Sequence, residues 1–323
     1  MFGPSTWLLT VMVVAFALVL GFALRSIPAT ASAPATLNGH DISWPQCSAK
    51  QGGYGLPLPP AGSQFAVMGL TMGRPFTENP CLAEQLAWAR AHATPAQAYL
   101  VAAFPTAAQL KRYGGSGPWS TANRAGQLAN EGYAQARHAA ASLTRNGFSP
   151  TMVWVDVEPG TAPSWPEATA AAQQGNRDLL QGLMRGLQDA GHSYGLYSFT
   201  GGWKQITGSW QLPGVPVWAT AGRVKHAAEV RAQCVQPSFS GGRVYLVQWY
   251  DAVRDYDITC AGYALRALPM PGLVLDTDTG STQGDWNSDV VARLAGIHQP
   301  RRYPAPGTLA PATEPSVLAP SIR

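Results

Sequence analysis

The sequence predicts a single α/β domain folded as a (β/α)8-like barrel, and two observations support this. Between residues 37 and 297, short and nearly continuous hydrophobic runs alternate with longer helical stretches, which is the pattern of parallel strands covered on both faces. Eight such runs within about 260 residues equal the strand number of that barrel. A two-layer open α/β sheet is the alternative arrangement of the same elements.

The predicted elements follow in chain order. Strands are expected at residues 39–43, 65–70, 98–104, 152–158, 194–199, 215–220, 244–249 and 273–276. Helices are expected at residues 82–93, 121–145 and 167–190. Asn146-Gly147 and Gly191 end the last two helices, because Gly and Asn adopt the left-handed conformation that closes a helix.

Segments of different composition flank the predicted barrel domain of residues 37–297. Residues 7–24 form an apolar run, followed by Arg25 and two A-x-A patterns, which predicts a signal peptide over residues 1–33. An uncleaved membrane anchor is the alternative, because an apolar run of that length can just span a bilayer. Residues 298–323 are rich in Pro, Ala, Thr and Ser and are predicted to be a disordered tail.

The chain is poor in charge. Charged residues make up 12% of the 323 residues, and the formal net charge is +4. Four arginines and one glutamate lie in the terminal segments, so the predicted barrel domain is nearly neutral. No nucleic-acid surface is therefore expected, and no nucleotide-binding motif is present. A domain rich in Trp, Tyr and Gln suits an uncharged polar ligand, and no cofactor is predicted.

One loop has a partial metal-binding pattern. Residues 276–280 read Asp-Thr-Asp-Thr-Gly, which resembles the start of a calcium loop. Position five of that loop is Gly280 and position twelve is Asn287, so the ligand pattern fails. The segment is interpreted as a polar loop, and no metal site is predicted.

The four cysteines are consistent with export. Their spacing matches no zinc pattern, which needs ligands two to four residues apart. Proximity in the sequence favours the pairs Cys47–Cys81 and Cys234–Cys260 over the other pairings, each closing a loop beside a predicted strand end. Such bridges persist in oxidising compartments. Free buried thiols are the alternative.

The most informative strand is the fourth, which reads Val-Trp-Val-Asp-Val-Glu from residue 153. Side chains alternate along a strand, so the three valines share one face while Trp154, Asp156 and Glu158 share the other. In a barrel the carboxyl groups would point inward near the carboxyl end of the strand, where barrel active sites lie. Two such carboxyls disfavour each other's ionisation, so one should hold its proton and the other stay charged. A solvated acidic strand end, or a pair bound to arginine, is the structural alternative.

Further candidates lie near the ends of other predicted strands. Asp41, in the first strand, can point into the same barrel mouth, and an Asp that caps a turn would be the default interpretation without the rest of the pattern. Aromatic rings stack well on sugars, and they cluster near strand ends, with core packing as the alternative role for each. The candidate substrate-binding residues are Trp154, Tyr197, Trp203, Gln248 and Trp249.

The order of the motifs adds a resemblance. The chain contains Asp-Ile-Ser-Trp-Pro-Gln-Cys at residues 41–47, the Asp-x-Glu strand, and Val-Gln-Trp-Tyr at residues 247–250. With Gly-Leu-Tyr-Ser and Pro-Val-Trp between them, this order resembles the glycoside hydrolase family 25 lysozymes. It resembles more closely a group of secreted actinobacterial glycoside hydrolase-like proteins, over about residues 38–262.

The resemblance implies a barrel with fewer outer helices and hydrolysis of the bond between N-acetylmuramic acid and N-acetylglucosamine in peptidoglycan. It implies that Glu158 is the general acid, that Asp156 stabilises the reacting sugar, and that Asp41 is the first-strand acid. Family 25 lysozymes carry another acid on a late strand, and three residues of this chain are equal candidates for it. They are Asp255, Asp257 and Asp276.

Two function hypotheses follow. The first is an exported glycosidase acting on cell-wall glycan, and the second is a noncatalytic cell-wall carbohydrate-binding protein on the same barrel. Carboxyl groups that share one open cleft would support catalysis, whereas burial against arginine would oppose it. The sequence leaves the oligomeric state and any membrane attachment through the N-terminal segment open.

Overall fold

Eight strands close into one barrel in the computed structural model, which describes residues 36–166, 168–223 and 227–268. Each strand pairs with the next one in the chain, and β8 pairs with β1 to close the ring. The strands are β1 (Asn38–Ile42), β2 (Phe65–Gly69), β3 (Ala96–Val101), β4 (Val153–Asp156), β5 (Tyr194–Ser198), β6 (Val217–Thr220), β7 (Val244–Tyr250) and β8 (Asp255–Thr259). The closed ring confirms the predicted barrel rather than the open sheet.

The last strand differs from the expectation. β8 runs antiparallel to both β7 and β1, whereas the strands from β1 to β7 are parallel to their neighbours. The sequence pattern does not predict this strand, because Asp-Tyr-Asp-Ile-Thr contains two aspartates, a residue type that is depleted in strands. The predicted strand at residues 273–276 lies outside the described residues.

Six α-helices are described around the barrel. They are α1 (Leu82–Ala91), α2 (Ala107–Tyr113), α3 (Arg124–Arg145), α4 (Ala170–Asp189), α5 (Thr200–Thr207) and α6 (Ala227–Ala232). The first, third and fourth were predicted. α2, α5 and α6 were not, because six to eight residues are too few for a clear helical period.

Side-chain caps determine where the two long helices begin. α3 starts at Arg124 rather than at residue 121, because the Asn123 side chain accepts a hydrogen bond from the Gly126 amide at 2.8 Å. α4 starts at Ala170 rather than at residue 167, because Thr169 accepts a bond from the Ala172 amide at 3.1 Å. Both starts lie three residues later than predicted.

The fourth strand divides its side chains as expected. Val153, Val155 and Val157 belong to the outer hydrophobic core between the barrel and the helices. Trp154 belongs to a separate core inside the barrel, together with side chains such as Tyr197 and Trp218. The alternation therefore directs Asp156 and Glu158 inward.

Two disulfides tie loops to the barrel, and both match the predicted pairs. Cys47–Cys81 joins the segment after β1 to the start of α1, and Cys234–Cys260 joins the segment after α6 to the end of β8. They close loops of 34 and 26 residues, so both restrict the unfolded chain.

The long helices α3 and α4 touch at glycines. A Cβ on Gly182 would lie 1.8 Å from the Ala129 carbonyl oxygen, and one on Gly132 would lie 1.9 Å from that of Leu179. No other residue type allows such a close approach of two backbones. Within the described part of the chain, no helix combines the length and the hydrophobicity needed to cross a membrane.

Candidate active site

Five carboxyl groups converge inside the barrel. β1 supplies Asp41, β8 supplies Asp255 and Asp257, β4 ends at Asp156, and Glu158 follows two residues later. All are buried, with exposed fractions of 1% for Asp41, 5% for Asp156, 2% for Glu158, 9% for Asp255 and 0% for Asp257. The structure thus brings the three predicted acids together.

Two of the three candidates for the late-strand acid lie on β8. Asp255 and Asp257 alternate with Tyr256 along β8, so both point into the barrel. Because β8 is antiparallel, Asp255 begins the strand at the end of the barrel where the parallel strands finish, opposite Tyr250. Asp276, the third candidate, lies outside the described residues.

A hydrogen-bonded chain crosses the barrel interior to Asp41. The Tyr197 hydroxyl donates to Gln248 Oε1 at 2.7 Å, and Gln248 Nε2 donates to Asp41 Oδ2 at 2.9 Å. A separate hydrogen bond in the same interior runs from the Trp218 indole to Asp257 Oδ1 at 2.8 Å. The Asp41 and Asp257 carboxyls also interact, which lowers the pKa of Asp41 and raises the pKa of Asp257.

No cation neutralises the cluster in the described residues. The ion pairs found there are Arg145–Glu78 and Arg185–Asp189, both away from the barrel interior. Four buried carboxyl oxygens of the cluster also have no hydrogen-bond partner: Asp41 Oδ1, Asp156 Oδ1, Glu158 Oε1 and Asp257 Oδ2. The alternative of a structural carboxylate pair bound to arginine is therefore wrong for this part of the molecule.

Burial raises the pKa of every carboxyl in the cluster, because the charged form loses its hydration. The pKa of Asp41 rises only to about 6, since hydrogen bonds from Gln248 and Asp257 stabilise its carboxylate. Burial and the Asp41 charge raise the pKa of Asp156 to about 8. Burial and the neighbouring acids raise the pKa of Glu158 well above its usual range. Asp41 therefore ionises below neutral pH, and the surroundings of Glu158 favour its protonated form.

This electrostatic arrangement predicts an unusual pH dependence of stability. Asp156 titrates at 3.8 in its unperturbed state and at about 8 in the folded chain, so the folded state binds more protons between these values. Its contribution to the free energy of unfolding is complete below that window and declines as the pH rises through it. We expect Asp156→Asn to remove a slope of up to about 1.4 kcal/mol per pH unit.

The measurement is denaturant unfolding of wild type and Asp156→Asn between pH 6.5 and 8. Histidines such as His40, whose pKa falls from 6.5 to about 4 on burial, are present in both proteins and cancel in the comparison. Burial also raises the pKa of Glu131 to about 8, but Glu131 is present in both proteins and cancels in the comparison. Equal slopes for the two proteins would contradict the raised pKa of Asp156.

The predicted substrate-binding residues divide into two groups. Trp154, Tyr197 and Gln248 lie in the barrel interior and are at most 1% exposed, and the Trp154 indole donates to Gln97 Oε1 at 2.8 Å. Trp203, on α5, packs in the outer core, where its ring stacks on Trp210. Trp249 contacts the same outer core and stacks on Tyr256. The structure therefore does not bring Trp203 and Trp249 to the acids.

Two further side chains of the barrel interior, Tyr99 and Gln97, were not predicted as site residues. Tyr99 packs edge-on to the Trp218 ring, and Gln97 accepts the Trp154 hydrogen bond. Both point inward from β3. They alternate with alanines along that strand, and this alternation could have predicted that they share one face. Among the described residues, no cluster of His, Cys, Asp and Glu could hold a metal ion.

Comparisons with known proteins agree with the motifs. The family model of lysozyme-like protein 1 matches residues 122–228, a stretch that includes Asp156 and Glu158. The chain is similar to the bacterial lysozyme from Streptomyces coelicolor at 15% identity and a TM-score of 0.44, over 69% of this chain and 91% of that one.

Two further solved structures are similar. A family GH25 lysozyme from Aspergillus fumigatus shows 14% identity and a TM-score of 0.42, over 70% of this chain and 94% of that one. The modular autolysin LytC from Streptococcus pneumoniae shows 12% identity and a TM-score of 0.45, over 69% and 46%. No curated protein sequence matches the chain. Over residues 122–228 the chain is thus similar to lysozyme-like protein 1, and the resemblance to lysozymes predicted from the motifs is confirmed over that stretch.

Proposed function

We propose that the chain is an exported glycoside hydrolase that cleaves the β-1,4 bond between N-acetylmuramic acid and N-acetylglucosamine in peptidoglycan. The observation that carries the proposal is the group of five inward carboxyls with no cation partner among the described residues. Paired carboxyl groups with different protonation states are what glycosidic cleavage requires. The family-model match over residues 122–228 supports the same chemistry.

In this proposal Glu158 is the general acid. Its raised pKa keeps the proton that the bridging oxygen of the glycan needs when the bond from that oxygen to C1 breaks. The electron pair of the bond stays with the departing oxygen, which takes up the proton. Water then adds to C1, and the proton of that water goes to a carboxylate of the cluster.

Asp156 and Asp41 stabilise the positive charge that develops on the sugar ring. Asp41 is ionised at neutral pH and is held in place by Gln248. Asp156 carries a proton in the free protein, because burial raises its pKa to about 8. A cationic sugar beside it favours the charged form of Asp156 and therefore lowers its pKa.

Export is part of the proposal. Two disulfides persist only where the medium is oxidising, which fits a protein that works outside the cytoplasm. The glycan of the cell wall is also found there. The signal-peptide or anchor interpretation of residues 1–33 concerns residues outside the described part of the chain and stays a prediction.

One observation favours the second candidate, a wall-binding protein without hydrolysis. Asp41, Glu158 and Asp257 are at most 2% exposed, and a carboxyl that substrate cannot reach cannot protonate it. The deciding experiment incubates the purified protein with purified cell walls and measures turbidity, new reducing ends and co-sedimentation. The proposal expects clearing with muramic acid at the new reducing ends. Co-sedimentation without new reducing ends would favour the binding protein.

A further inference from the structure

A cavity lies on the rim of the barrel, and none of the five clustered acids lines it. It has a volume of about 580 Å³, within the range of small-ligand sites. Its lining comes from the segments that follow β2, β3 and β4, and it includes Arg74, Phe76, Arg112, Tyr113 and Ala162. These segments leave the carboxyl ends of parallel strands, so the cavity lies at the same end of the barrel as Glu158.

An aromatic wall forms one side of this rim cavity. The Phe76 ring stacks on Tyr113 with a centroid distance of 4.2 Å and an interplanar angle of 13°. Phe76 has a φ of 57°, a left-handed conformation that is unfavourable for a bulky side chain.

The loop around Phe76 holds that conformation. The Thr77 hydroxyl donates to the Arg74 carbonyl at 2.6 Å, a bridge pairs Thr71 with Glu78, and Glu78 forms an ion pair with Arg145. These contacts therefore hold the Phe76 ring in place, although its left-handed backbone conformation is energetically unfavourable.

The rim cavity is also cationic. Its lining contains Arg74 and Arg112 and no Asp or Glu. Both arginines are exposed, and the ion pairs of the described residues use neither of them. The Arg112 guanidinium lies over the Tyr113 ring at 5.1 Å. Two guanidinium groups beside a flat apolar wall suit a carboxylate attached to small apolar groups.

The cavity lies within reach of a glycan bound at the acids. Ala162 follows Glu158 by four residues, and four extended residues span at most about 14 Å. We propose that the rim cavity binds a carboxylate of the peptide that substitutes the glycan chain, so that the enzyme prefers peptide-bearing strands. The proposal rests on the proposed function for its choice of glycan.

The test measures binding to two forms of the same solubilised glycan strands, one with its peptides and one from which an amidase has removed them. The full chain is compared with the double variant Arg74→Gln/Arg112→Gln by calorimetry. Lys111→Gln is the matched control, because Lys111 is exposed on the same helix but does not line the cavity.

We expect wild type and Lys111→Gln to bind peptide-bearing strands roughly tenfold more tightly than stripped strands, with a preference that weakens as salt increases. The double variant should bind both forms with the affinity that wild type has for stripped strands. Equal binding of the two forms by wild type, or no binding of either, would overturn the proposal. Displacement by a phosphate-rich wall polymer but not by free stem peptide would overturn it as well.

The binding measurement does not depend on glycan cleavage, so it tests the peptide site separately from the proposed hydrolysis. A protein that prefers peptide-bearing strands but releases no reducing ends supports the rim cavity and contradicts hydrolysis. A protein that cleaves and binds both forms equally supports hydrolysis and overturns the peptide site.

Discussion

Glu158→Gln is expected to lower the rate of glycan cleavage by about 10²- to 10⁴-fold, the contribution of a general acid. Glutamine has the same shape as a protonated glutamate but cannot transfer a proton to the departing oxygen. Glu158 is only 2% exposed, so bulk water cannot readily replace it as the proton donor. The measurement is the initial rate at which new reducing ends appear on purified cell walls.

The expected loss should be specific to the acid cluster. Glu229→Gln is the matched control, because Glu229 is exposed on α6, away from the barrel interior, and we expect it to keep wild-type activity. Both variants should keep the wild-type unfolding midpoint or exceed it, since burial favours the neutral form of Glu158 and glutamine has the same shape. An active Glu158→Gln enzyme would assign the proton donor to another residue.

The largest expected loss of stability comes from Gly182→Ala. The new methyl group would lie 1.8 Å from the Ala129 carbonyl oxygen and 2.5 Å from its carbon, which are backbone atoms that cannot rotate away. α3 and α4 would have to separate and lose part of the core between them. We expect a decrease of about 3 kcal/mol in the free energy of unfolding, or a melting temperature lower by roughly 6–12 °C.

A glycine with free space around it is the control for this substitution. A Cβ on Gly115 would meet its nearest neighbour, Thr121 Cγ2, at 3.6 Å, an ordinary contact distance. Gly115→Ala should change the unfolding free energy by no more than about 0.5 kcal/mol. If the two variants unfolded alike, the close backbone contact between α3 and α4 would not exist in solution.

Local patterns of the sequence were enough to predict much of the barrel. The apolar runs predicted seven of its strands, because their alternation and composition are properties of a few neighbouring residues. The same alternation shows that Gln248 and Trp249 cannot both face inward, since adjacent residues of a strand point to opposite sides. The structure directs Gln248 inward and Trp249 to the outer core.

The rest depended on contacts between distant parts of the chain. β8 was not recognised because its two aspartates are unfavourable in an isolated strand and become compatible with it only where they enter the polar barrel mouth. The lining of the rim cavity comes from three separate loops, so no single motif contains Arg74 and Arg112 together.

The sequence by itself determined the barrel class, the two disulfides and the inward direction of Asp156 and Glu158, because each follows from residues that are close in the chain. Only the tertiary structure decided which carboxyls gather and which hold protons. Ring closure brings Gln248 to Asp41 across 207 residues and places Asp255 and Asp257 in the same interior. The pKa of a carboxyl depends on the water and charge around it, and those surroundings exist only once the barrel is closed.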